Sequence, residues 1–79
     1  GDGRYDIQLK PTQKGLPGIL IELKAEKNCN DEQLKKLSET ALQQINDKKY
    51  ETELTTAGVR TIYKYGVAFS GKKVEVAVG

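Results

Sequence analysis

Two alternating stretches, RYDIQLK at residues 4–10 and ILIELKAE at residues 19–26, constrain the fold more than any other feature of the chain. In the first, Tyr5, Ile7 and Leu9 alternate with Asp6, Gln8 and Lys10. That is the two-residue period of a half-buried strand. In the second, Ile19, Ile21, Leu23 and Ala25 take one parity, while Glu22 and Lys24 take the other. The segment PTQKGLPG between them holds Pro11, Gly15, Pro17 and Gly18, which break helix and strand alike. A loop this short returns the chain as an antiparallel hairpin. If even positions pair with even positions, Asp6, Gln8, Glu22 and Lys24 cluster on one face. The face of Tyr5, Ile7, Leu9, Ile19, Ile21, Leu23 and Ala25 is then expected to be the main core.

The segment NDEQLKKLSETALQQINDKKY carries the one clear helical pattern. Leu34, Leu37, Ala41, Leu42 and Ile45 form a single apolar stripe. Asn30, with Gln33 three positions on, is a capping-box signature for its start. ETELTTAG predicts a short helical turn stopped by Gly58. VRTIYKYGVAFS is rich in β-branched and aromatic residues and reads as a strand. GKK turns the chain, and VEVAVG alternates Val74, Val76 and Val78 in a last strand. The order is β-β-α-(short α)-β-β, an α/β (α+β) fold with a small mixed sheet and one main helix on it.

At 79 residues the chain is one domain, spanning 1–79, with a thin core. Thirteen basic against eleven acidic residues give a net charge of +2, too mild to argue nucleic-acid binding alone. No apolar run approaches membrane-spanning length. The single Cys29 cannot close an internal disulfide, which suits a reducing cytoplasm. With no histidine and one cysteine, a closed Cys/His zinc site is excluded, as is histidine catalysis. A metal here would sit on carboxylates and carbonyls, which favours Mg²⁺, Mn²⁺ or Ca²⁺.

The hairpin supplies such a set. Asp6 and Glu22 offer carboxylates, and two close carboxylates repel unless a cation lies between them. The backbone carbonyl of Leu23 offers a further oxygen. Lys24 would stand beside the ion, placed to orient a water or to stabilise charge building on phosphorus. The plainer alternative is a surface Glu–Lys ion pair, which is common and worth little. Gln44 lies at the edge of the helix stripe, with Lys48 four residues on along the same face. Either residue could instead serve the helix end, Lys48 by snorkelling and Gln44 by meeting a backbone group. Arg4 is a candidate phosphate contact or an ordinary strand-end residue.

Taken together, RYDIQL, IELKAE and a helix containing ALQQINDKKY resemble the PD-(D/E)XK nuclease superfamily, in particular the family found C-terminal to AAA-ATPase-like domains in bacterial proteins. GRYD and KYGVAFSGKKVEV also fit that family, so the resemblance covers nearly the whole chain. It implies a truncated restriction-endonuclease-like core and a C-terminal fragment of a longer protein. The implied activity is metal-dependent hydrolysis of DNA, or less favourably RNA. Asp6 and Glu22 would hold Mg²⁺ or Mn²⁺, with the Leu23 carbonyl, and Lys24 would assist the attacking water. Gln44 matches the helix glutamine of the exonuclease-like branch. Arg4, Gln8 and Lys48 are the expected substrate contacts. Two departures stand out: Tyr5 replaces the signature proline, and the family's upstream helix and strand precede the first residue here. An exposed sheet edge predicts a homodimer. The alternative function is a non-catalytic nucleic-acid-binding or regulatory module attached to the ATPase-like domain.

Overall fold

The computed structural model describes the backbone of residues 4–47 and 50–79 and the side chains of residues 6–45 and 51–79. Four strands and two helices follow the expected order: β1 Arg4–Leu9, β2 Gly18–Ala25, α1 Asp31–Asp47, α2 Tyr50–Thr56, β3 Ile62–Ser70 and β4 Lys73–Val78. The sheet runs β1-β2-β3-β4. β1 is antiparallel to β2, β2 is parallel to β3, and β3 is antiparallel to β4. The parallel pair requires a crossover, which α1 and α2 supply. Among the described residues, no helix is long and apolar enough to cross a membrane.

Each boundary has a local cause. Asn30 Oδ1 accepts from the Gln33 amide at 2.8 Å, and the Asn30 amide donates to Gln33 Oε1 at 2.9 Å. This reciprocal capping box satisfies two of the orphan donors at the start of α1. After α2, the Val59 amide donates to the Leu54 carbonyl, and Gly58 sits at φ 93°. The β3–β4 hairpin closes through Gly71 at φ 61°, first of two loop residues, as a II′ turn requires.

The core lies on the face opposite to the one expected. Leu20 and Glu22 of β2 are buried, together with Ala68 of β3, Leu34, Ala41 and Ile45 of α1, and Leu54 of α2. The face of Ile7, Leu9, Tyr63, Phe69, Val74, Val76 and Val78 is instead exposed. The reason is the seat of α1. A Cβ on Gly66 would lie 2.2 Å from the Ser38 carbonyl oxygen and 2.4 Å from the Leu42 amide nitrogen. The helix backbone therefore rests directly on β3 at that glycine. Gly66 pairs with Glu22, so the helix covers the even parity of β2. Ala68 and Ser38, both at 0 % exposure, keep the remaining space shallow.

Candidate active site

The register brings the first-strand acid to the second-strand acid. Asp6 stands directly opposite Glu22, with Arg4 opposite Lys24 and Gln8 opposite Leu20. Partners in an antiparallel pair have Cα atoms about 4.5–5.5 Å apart and point to the same face. Asp6, Gln8, Glu22 and Lys24 therefore share one face, and it is the face that α1 covers. Asp6 is exposed, Gln8 and Lys24 are half-buried, and Glu22 retains only 1 % exposure. The pair thus grades from solvent at Asp6 to the helix–sheet interior at Glu22. The Leu23 side chain points to the opposite face, so its carbonyl lies in the plane of the sheet between strands.

Gln44 comes from α1. Its side chain is half-buried, and its Oε1 is fully buried with no hydrogen-bond partner. An unpaired buried amide oxygen costs about 1–3 kcal/mol, so such a group calls for an explanation. Helical spacing places it beside Leu37 and Ala41, on the flank that meets the sheet. Lys48 lies outside the described residues, and the Arg4 side chain lies outside the described side chains.

Two features escaped the sequence pattern. Lys64 of β3 pairs with Leu20, so it shares the covered face with Glu22, and its side chain is 17 % exposed. It binds Glu51 of α2 at 2.5 Å, tying α2 to the sheet. The lysine sits at a strand position of the right parity, a signal available in the sequence only once the covered face is known. Gly66 is the second, and strand alternation gives no hint of helix approach.

The donor set fits a hard divalent cation. Among the described residues no group of three or more His, Cys, Asp or Glu side chains is gathered for a metal. Among the described residues the opposed pair Asp6 and Glu22 supplies two carboxylates. Mg²⁺ is commonly bound by one or two carboxylates, the rest of its shell being water and phosphate oxygens. The unpaired Gln44 oxygen adds a buried acceptor on the helix that covers that face.

The fold and the site define a class: a mixed sheet whose neighbouring strands present acid, acid and lysine beneath a glutamine-bearing helix. A model of the PD-(D/E)XK nuclease superfamily matches residues 1–78, and the chain belongs to that superfamily. No significant match was found among curated proteins or solved structures.

Proposed function

We propose that this domain hydrolyses phosphodiester bonds of nucleic acid, DNA foremost, with Mg²⁺ or Mn²⁺ held by Asp6 and Glu22. The observation that carries the reading is the direct pairing of Asp6 with Glu22 on the helix-covered face, with Lys24 next along it. When bound, the ion supplies Lewis-acid charge to a phosphoryl oxygen and acidity to a water. The chain's own residues do the rest. Burial of Glu22 fixes one carboxylate rigidly, while Asp6 at the open side leaves room for substrate. Lys24 places a positive charge where negative charge builds on the phosphoryl group. The Gln44 carbonyl is an acceptor free to receive a hydrogen from the attacking water. Gln8, and Arg4 from its position opposite Lys24, are proposed to contact the substrate backbone.

The test is cleavage of labelled single- and double-stranded DNA with Mg²⁺ or Mn²⁺. Asp6→Asn, Glu22→Gln and Lys24→Gln should each lower the rate by about 10²-fold or more, the usual cost of removing one charge-stabilising group. Equal rates in wild type and all three variants would overturn the assignment. A binding readout stands beside activity. Mn²⁺ should raise the thermal midpoint of the wild type, since a ligand of the native state stabilises it. Glu22→Gln should abolish that rise. No cleavage together with no Mn²⁺ effect would leave the non-catalytic module as the reading.

A further inference from the structure

A cleft lies beside the other end of β2. The β1–β2 loop and the segment that follows α2 enclose it, at about 690 Å³. Its apolar lining is the exposed Leu16 and the half-buried Val59, backed by Leu54 of the core. Its lining includes Lys10, Lys14 and Arg60, and among the described residues no acidic one lines it. All three cations are exposed, and among the described residues none makes an ion pair or side-chain hydrogen bond. Lys64 is bound to Glu51, and Lys73 to Asp31.

Part of the cleft's lining packs on the same sheet face as the acid pair. A Cβ on Gly18 would meet Leu54 at 2.9 Å and Val59 at 3.4 Å. Gly18 has the parity of Leu20 and Glu22, so these two residues pack on the face to which Glu22 points. Along the edge strand, exposed Lys10 and exposed Asp6 are four positions apart with half-buried Gln8 between them, about 13 Å at about 3.3 Å per residue. One strand of a nucleic acid advances about 3.4 Å per phosphate in a duplex, and more when extended. A chain bound in the cleft therefore reaches the acid pair within a few nucleotides.

We infer that this cleft binds a single strand of nucleic acid, its phosphates on Lys10, Lys14 and Arg60 and an unpaired base against Leu16 and Val59. The inference rests on the nuclease reading for the identity of the ligand, and it assigns the cleft as the track that leads substrate to Asp6 and Glu22. An apolar lining selects unpaired bases, since a duplex hides the faces of its bases in the stack. Three cations, with no acid among the described lining residues, select phosphate.

The experiment is fluorescence anisotropy of a labelled single-stranded oligonucleotide without divalent metal, so that nothing is cut. Affinity is measured across a salt series. The triple variant Lys10→Gln, Lys14→Gln, Arg60→Gln should weaken binding at least 10-fold at low salt. It should also flatten the slope of log K against log salt by about 2, at about 0.7 for each lost phosphate contact. A control with the same charge loss, Lys27→Gln, Lys35→Gln, Lys36→Gln, removes exposed cations away from the cleft and should change the slope by less. Equal effects of the two triple variants, or none from either, would overturn the site. So would tighter binding of duplex than of single strand, or equal competition by polyglutamate, which would make the partner an acidic protein segment. The two readings fail separately. A wild type that binds the oligonucleotide through the cleft but never cuts it with Mg²⁺ defeats the nuclease and leaves the cleft. A wild type that cuts, with a cleft variant that binds unchanged, does the reverse.

Discussion

Gln44 separates a structural from a chemical role better than any other residue of the site. Its Oε1 is buried without a hydrogen bond, so the folded protein gains nothing from that atom. Replacing an unsatisfied buried polar group by an apolar one of similar size is commonly neutral or stabilising. Gln44→Leu should therefore leave the urea midpoint unchanged or raised, while cleavage falls. A variant that loses stability and keeps its rate would make Gln44 a packing residue. Neighbouring charges teach a second lesson. Glu22 and Lys24 differ by two positions, yet one is at 1 % exposure and the other half-buried. Their shared face follows from the period of two and was legible in the sequence, whereas the direct pairing of Asp6 with Glu22 rests on the register, which the sequence left conditional. The depth of Glu22 was not legible, because alternation marks two faces without saying which one a helix will cover.

At the scale of elements, the seat of α1 on β3 depends on one missing side chain. Gly66→Ala would drive a methyl group into the Ser38 carbonyl and the Leu42 amide, both backbone atoms that cannot swing aside. Overpacking of that kind costs about 1–3 kcal/mol and occasionally more. In a domain of this size that is a large share of the total stability. Urea unfolding of Gly66→Ala should show a clear fall in midpoint, against a fall of about 1 kcal/mol for Asn30→Ala, which removes only the cap. If Gly66→Ala proves the milder of the two, the close seat of the helix is not what holds the layers together. The cap was readable from Asn30 and Gln33 alone, since its chemistry is local. The apolar stripe of α1 was readable too, and Leu34, Ala41 and Ile45 of it are buried. Which sheet face the stripe would meet turned on Gly66, Ala68 and Ser38, small residues that admit the helix. Hydrophobic content pointed the other way, toward the Ile- and Val-rich parity.

Among the described residues the whole molecule is consequently two layers with one sheet face uncovered. Ile7, Leu9, Tyr63, Phe69, Val74, Val76 and Val78 stand on it at 38 to 68 % exposure, and Ile19, Ile21, Leu23, Tyr65 and Val67 lie half-buried between them. No charged residue has this parity on any of the four strands. The largest apolar patch on a typical monomer is about 300–600 Å², and larger contiguous ones commonly mark interaction surfaces. Among the described residues nothing on this face repels a second copy of it, and β1 and β4 leave both sheet edges open as well. The 79-residue chain should therefore self-associate and bind an apolar fluorescent dye. Light scattering behind size exclusion reads the first property, and dye titration the second. Paired substitution Val76→Lys and Val78→Lys places two like charges on exposed positions of β4. It should shift the mass to monomer and lower the dye signal. Its effect on stability should stay within about 0.5 kcal/mol per site, as exposed substitutions usually do. Both substitutions are on the face away from Asp6, Glu22 and the cleft, so cleavage per chain and oligonucleotide affinity should hold if each site is complete within one chain. Loss of cleavage on conversion to monomer would instead mean that the second copy contributes to the site. A wild type that is monomeric and dye-silent would remove the face as a driver of association.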